Sequence, residues 1–330
     1  MNAAVAGLVA AAALLAMAAT AALMRWRTHL PVAALNERTL HATPIPRVGG
    51  IALWVGWLPV ALLAPASPSM AVAIWGAPWL ALCIVSLADD VRGVPILPRL
   101  AVHALAALGF AIMIAGRGTP VASALAVAAI ALIAAWSLNL YNFMDGSDGL
   151  AASMAVVGFG ACGAVLLHKA LPATLPLALA AATLPMFAVN RPPARMFLGD
   201  VGAVPLGFLA AAIGVGGVVD GAWPPWFPVL VFLPFIADAT VTLLRRAING
   251  ERFWEGHKSH YYQRLNRMGA GHGGTLAVFG ALMLGTAGTA VACACLRPGW
   301  GNPALAAWCA VCAVLFAAID YHWRRFEQRT

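Results

Sequence analysis

The stretch Asn139-Leu-Tyr-Asn-Phe-Met-Asp-Gly-Ser-Asp-Gly-Leu150 sets two carboxylates and two amides between long, almost wholly apolar runs on either side. Carboxylates beside a bilayer are costly unless they bind a cation or do chemistry. With Asp89-Asp90 and Asp200, which also end or begin apolar runs, the stretch points to a metal-dependent site in a membrane enzyme.

Working outward, 62% of the 330 residues are apolar and 10% are charged, so hydrocarbon is the solvent for most of the chain. A spanning helix needs roughly 20 apolar residues. Eleven such segments are expected, centred near 13, 56, 79, 107, 128, 159, 179, 211, 236, 285 and 312. They form an all-α, polytopic protein with one transmembrane domain over residues 1–330. The first segment resembles a signal peptide in length, but no basic residue precedes it and Arg25 and Arg27 follow it. It reads as a retained helix with its N-terminus outside.

Alternating the connections then puts 17 of the 20 Lys and Arg residues in the cytoplasm, with Arg117, Lys169 and Arg297 as the exceptions. This positive-inside bias also places the C-terminus inside. It accounts for the net charge of +8 without a nucleic-acid partner; anionic membrane lipid is a second attraction. The six cysteines lie in apolar segments and read as small buried hydrophobes. Trp223, Trp226 and Trp300 fall at expected outer borders, as interfacial anchors. No fixed-period repeat is present. Among the acids only Asp238 lies well inside a segment, whereas a proton-coupled transporter would place several ionisable groups near the midplane. The charge map favours an enzyme at the inner surface.

Within the central stretch, Asn142, Asp145 and Asp148 recur every three residues and would line one face if the segment were helical. Gly146 and Gly149 allow a ligand to approach the backbone. Asp89 and Asp90 end the third segment, where carboxylates oppose the helix dipole. Adjacent carboxylates cannot share a helical face, so one can turn to substrate and the other to a metal or a base. Asn190-Arg-Pro-Pro-Ala-Arg-Met-Phe-Leu-Gly-Asp200 combines Asn190, Arg195 and Phe197 with a carboxylate before another helix. Helix N-termini and Arg favour phosphate, and a carboxylate facing phosphate needs a bridging divalent cation. His257-Lys-Ser-His260, preceded by Arg245, Arg246 and Arg252, suits contact with a diphosphate. His272, between glycines, reads as part of a loop.

Five motifs in order, His41-x-Thr-Pro-x-Pro-Arg47-x-Gly-Gly50, Asp89-Asp90, Asn142-Phe-Met-Asp-Gly-x-Asp-Gly-Leu150, Phe197-Leu-Gly-Asp-x-Gly202 and His257-x-Ser-His-x-Tyr-Gln-Arg264, span residues 36 to 265. The set resembles the polyprenyl-phosphate N-acetylhexosamine-1-phosphate transferases, the family that includes phospho-N-acetylmuramoyl-pentapeptide transferase. The first and last motifs look more like the branch that primes O-antigen and related lipopolysaccharide glycans. The resemblance implies an enzyme of the bacterial inner membrane that moves a sugar 1-phosphate from a UDP-N-acetylhexosamine to undecaprenyl phosphate, with magnesium, replaceable by manganese, and a homodimer allowed. It implies Asp200 as the metal ligand and Asp89 and Asp90 as the catalytic pair. It assigns Asn142, Asp145, Asp148, Asn190, Arg195, Phe197, His257, His260 and Arg47 to substrate, with Phe197 stacked on uracil. Ala203 and His103 depart from the family pattern, where Ser and Gln are common. A CDP-alcohol phosphatidyltransferase shares Asp145-x-x-Asp148-Gly149, but Ala152-Ser153 stands where Ala-Arg is expected and the later paired carboxylates are absent.

Overall fold

The computed structural model describes residues 1–32, 45–118, 124–252 and 257–328. Among them all regular structure is helical apart from one isolated bridge, Val32 to Pro46. Helices α1 (Ala3–Arg25), α2 (Gly50–Leu63), α3 (Val72–Arg92), α4 (Ile96–Gly118), α5 (Ala124–Met144), α6 (Leu150–His168), α7 (Thr174–Asn190) and α8 (Asp200–Val219) come first. The next apolar stretch is divided into α9 (Trp226–Val231) and α10 (Leu233–Ile248). Pro234 lacks the N–H that would continue the ladder, and the helix breaks at Phe232 just before it. Then α11 (Tyr261–Leu265) passes through a π-helical turn at Asn266–Ala270 into α12 (Gly271–Leu296), and α13 (Gly301–Glu327) follows.

All eleven expected centres fall inside these helices. Among the described residues, eight helical segments are long and apolar enough to cross a membrane, while α2 and α7 are shorter apolar helices. The chain is an all-α, multi-pass membrane protein. Helix α1 packs on α2 and α7, α6 on α7, α4 on α3 and α5, and α8 on α3 and α5. The C-terminal ends of α3, α5, α7, α10 and α13 meet the starts of α2, α4, α6, α8 and α11.

The burial pattern shows which helix is central. Of its most apolar stretch, α8 buries 89%, against 17% for α1 and for α13, whose apolar sides face outward as lipid-facing helices do. Packing around α8 is close because small residues meet backbone: a Cβ on Gly50 would overlap Gly202, and one on Gly207 would lie 2.5 Å from Ser137 O. A tryptophan cluster, Trp54, Trp57, Trp75 and Trp79, with neighbouring ring centroids 5.2–6.2 Å apart, fills the space between α2 and α3. Trp54 also donates to Val201 O of α8 at 2.7 Å.

Three sequence expectations change. Trp223 and Trp226 are buried rather than interfacial, and of the three only Trp300 is exposed. Trp223 folds back over Gly217 and donates to Gly214 O at 3.0 Å, while Trp226 occupies the space Gly301 leaves open. All six cysteines are free; Cys162, Cys293 and Cys312 are buried, Cys83 and Cys295 are half-buried, and Cys309 is exposed on α13. Asn142, Asp145 and Asp148 do not share one helical face, because α5 ends at Met144 and a turn carries the chain to α6. Gly149 takes φ 75° there, a conformation that opposes helix continuation.

Candidate active site

The adjacent aspartates at the end of α3 splay apart. Asp89 accepts the Val94 N–H at 2.7 Å and faces the Arg99 guanidinium at 2.6 Å. Asp90 turns inward, where its side chain has no exposed surface. It accepts Arg47 through Nε (2.7 Å) and Nη2 (2.6 Å), and the N–H groups of Asp200 (3.2 Å) and Val201 (2.8 Å). Asp90 therefore caps α8 from another helix, satisfying N–H groups that a helix start leaves unpaired. In this arrangement its oxygens are committed within the protein.

Asp200, the first residue of α8, is held between two cations. Arg99 Nη1 lies 3.5 Å from one of its oxygens and Arg47 Nη2 4.0 Å from the other. The backbone brings them together: Phe197 N donates to Pro46 O (2.7 Å), and Gly49 N and Gly50 N donate to Phe197 O and Leu198 O (3.0 and 2.8 Å). Gly199 permits this approach, since it has φ 75° and a Cβ there would overlap Arg47 O. Residues 33–44, which include the first four positions of the first motif, lie outside the described residues.

The turn after α5 supplies the third arm. Asp148 accepts Ala194 N at 2.9 Å, Gly149 N donates to Asn190 Oδ1 at 3.0 Å, and Asn190 Nδ2 donates to Met196 O at 3.0 Å. Asn190 is thus fully engaged in joining the 149 turn to the 196 loop. His272 Nδ1 accepts Asp148 N at 3.2 Å, so its 3.6 Å approach to the Asp148 carboxylate is not an ion pair. The Asp145 side chain has no hydrogen-bond partner among the described residues. Burial, together with the charges of Asp200 and Asp90, pushes its carboxyl well above the usual range, a trend Arg47 opposes. Arg195 is exposed, while Phe197 is half-buried at the rim.

The histidine segment docks on the same turn. Tyr262 donates through its hydroxyl to Phe143 O at 2.9 Å, and a Cβ on Gly146 would overlap that hydroxyl. The Phe143 and His260 rings stack at 5.8 Å, and His260 stacks on His257 at 4.9 Å. His257 is pushed down to about 3 by burial, with His260 and Arg246 adding to the effect, and is neutral at physiological pH. Behind the segment, Asp320 of α13 gathers Arg245 (2.5 Å), Arg264 (2.6 Å) and the Tyr261 hydroxyl (3.3 Å).

Asp89, Asp90 and Asp200 thus gather two guanidiniums, those of Arg47 and Arg99, while Asp145 feels the charge of Arg47 through space and Asp148 is engaged on the adjoining loop. Among the described residues no three acids, histidines or cysteines form a preassembled cage for a metal ion. Magnesium does not require one, because it is commonly held by one or two carboxylates, waters and substrate phosphates. A partnerless Asp145 beside the half-open Asp200, in a region with surplus negative charge, is a donor set that fits such an ion.

Residues 72–218 match the model of glycosyl transferase family 4. A putative glycosyltransferase of Streptomyces coelicolor is 33% identical over 294 residues, covering 83% of this chain and 67% of the relative. The chain belongs to glycosyl transferase family 4. A probable undecaprenyl-phosphate N-acetylglucosaminyl 1-phosphate transferase of Bacillus subtilis is 26% identical, covering 72% of this chain and 70% of that protein. A decaprenyl-phosphate N-acetylglucosaminephosphotransferase of Mycobacterium leprae is 28% identical, covering 73% and 71%.

As a family 4 glycosyl transferase, the chain carries groups at its site that sequence reasoning passed over. Arg99 was not singled out, yet it spans Asp89 and Asp200. Asp238 was noticed as an acid within the membrane, without its partners. Asp320 gave no signal, and His272, read as loop, sits against Ser147 and Asp148.

Proposed function

We propose that this protein transfers N-acetylhexosamine 1-phosphate from a UDP-sugar to undecaprenyl phosphate. It releases UMP and forms undecaprenyl-diphosphate-sugar at the cytoplasmic face of the bacterial inner membrane. Such a product begins a surface glycan of the O-antigen or lipopolysaccharide kind. The observation that carries this reading is the acidic cluster at the helix ends, with its partnerless Asp145 and its two guanidiniums, in a chain whose relatives bear the names of polyprenyl-phosphate N-acetylglucosamine-1-phosphate transferases. Those names favour GlcNAc as the sugar, with a 6-deoxy relative next.

Bringing a lipid phosphate to a diphosphate sets like charges against each other, so the site must neutralise them. Arg47 and Arg99 supply fixed positive charge, and His257 and His260 sit on the segment docked against the turn that carries Asp145. Asp200, with Asp145, would hold magnesium, for which manganese can substitute; bound there, the ion would offset the charge of the donor diphosphate. Asp89 is the group to take the last proton of the lipid phosphate, since it is less enclosed than Asp90. Positioning and electrostatics then supply most of the rate. An apolar cavity of about 500 Å³ between α5, α8, α9 and α10, lined by Trp136, Tyr141, Val215, Phe232 and Ile236 among others, offers room for part of a polyprenyl chain. Its Tyr141 end lies four residues before Asp145.

The test is a donor panel: purified protein, undecaprenyl phosphate and each UDP-N-acetylhexosamine, with lipid product and UMP followed together. Lipid-linked sugar 1-phosphate from none of the donors would sink the reading.

A further inference from the structure

Asp238 lies inside α10 with no exposed surface, and four donors converge on it. Oδ1 accepts Tyr261 N (3.0 Å) and Thr242 Oγ1 (3.2 Å) and faces His260 Nδ1 (3.1 Å), while Oδ2 accepts Tyr262 N (2.9 Å). A carboxylate surrounded by donors only accepts, so the ring hydrogen of His260 sits on Nδ1. In the neutral form of that ring the lone pair is then on Nε2.

His257 is the opposite case. Its Nδ1 lies 3.3 Å from Ser259 N and 3.1 Å from Ser259 Oγ. A backbone N–H can only donate, so this Nδ1 accepts and the hydrogen of the neutral ring is on Nε2. Ser259 Oγ in turn accepts Arg246 Nη1 at 2.9 Å, which leaves its own hydrogen for His257. The two rings lie face to face, 4.9 Å apart and tilted by 26°.

We propose that Asp238 and Ser259 are positioning residues that hold the stacked histidines in opposite tautomers, so that His260 presents an unprotonated Nε2 and His257 an Nε2–H. The pair is matched to a singly protonated phosphate monoester, which has one O–H to give and oxyanions to receive a hydrogen bond. The choice of ligand rests on the transferase reading above; the tautomers do not.

The experiment is nitrogen NMR of the detergent-solubilised protein carrying ¹⁵N-histidine, with the two rings assigned by loss of signal in H257Q and H260Q. Near neutral pH the expected wild-type spectrum has His260 protonated at Nδ1 and His257 at Nε2. In D238A the acceptor facing His260 is gone, so that ring should lose its preference for Nδ1–H. Its kcat should fall about 100-fold or more while KM changes less than about 3-fold. S259A should disturb His257 alone. Matching tautomers in the wild-type rings would overturn the proposal, as would a D238A protein whose His260 keeps its Nδ1–H preference or whose kcat is unchanged. If D238A does not fold, the wild-type spectrum still decides the assignment. The spectrum needs no substrate, so a protein with these tautomers and no transfer from any UDP-sugar would sink the transferase reading and leave the assignment standing.

Discussion

Replacing Asp90 by Asn separates its structural part from any direct part in the reaction. The carboxylate accepts two guanidinium nitrogens of Arg47 and two backbone N–H groups at the start of α8. An amide of the same size keeps one acceptor oxygen, so its NH2 must face either the guanidinium or a backbone donor. At least one buried donor then loses its partner, at about 1–3 kcal/mol, and Arg47 loses its counter-charge. Arg47 is 28% exposed and partly hydrated, so the total should be roughly 2–4 kcal/mol rather than the upper end for a sealed ion pair. The assay is unfolding free energy in mixed detergent and SDS micelles, with D89N as the control. D89N should keep near-wild-type stability and lose turnover, because Asp89 lies in a more open setting and its Val94 N–H can still be accepted by the amide oxygen. A D90N protein within about 0.5 kcal/mol of wild type, the usual spread for uninvolved positions, would refute the view that Asp90 anchors α8.

Removing divalent metal with EDTA should abolish transfer and magnesium should restore it, while D200N should lose several orders of magnitude of activity yet still fold; near-normal D200N turnover would place the metal elsewhere. Asp145 has a raised folded-state pKa, so the folded chain binds its proton more tightly, and stability should fall as pH rises from the ordinary carboxylate range toward the folded value. D145N should flatten that fall, stabilise the metal-free protein at neutral pH and remove the stabilisation that added magnesium gives; a wild-type curve unchanged by D145N would discount the raised pKa. UMP should not appear from UDP-sugar alone, and its release without lipid acceptor would replace direct displacement by a covalent enzyme intermediate. Exchanging residues 247–273 with those of a relative that uses another sugar should move donor preference with the segment, since it combines Arg252, His257, Ser259, His260 and Tyr261 with Phe253-Trp254; Phe253 and Trp254 lie outside the described residues, and an unmoved preference would discard the segment as the specificity element.

The helices were legible because hydrophobic length is a one-dimensional signal, and each expected centre lies in a helix. The acids were legible because a carboxylate at the end of an apolar run is conspicuous without any partner. What could not be read was pairing. Nothing in the sequence says that Asp90 faces Arg47, 43 positions earlier, or that Asp238 faces His260, since those contacts depend on which helices become neighbours. Trp223 and Trp226 were misplaced for the same reason: residue type suggests the interface, but Trp223 folds back onto Gly217 and Trp226 fills the space beside Gly301. The three-residue spacing of Asn142, Asp145 and Asp148 misled because Gly149, at φ 75°, favours a turn over a continuous helix.

Asp320 gathers Arg245, Arg264 and Tyr261 from segments that precede it by 56 to 75 positions. Synthesis runs from the N-terminus, so both guanidiniums leave the ribosome well before the carboxylate that neutralises them. Until α13 arrives, the histidine segment has its tether to Asp238 but not its brace, and the two arginines repel each other. Assembly of this side of the site is therefore ordered in time, with the last helix acting as the latch on a histidine arm built earlier.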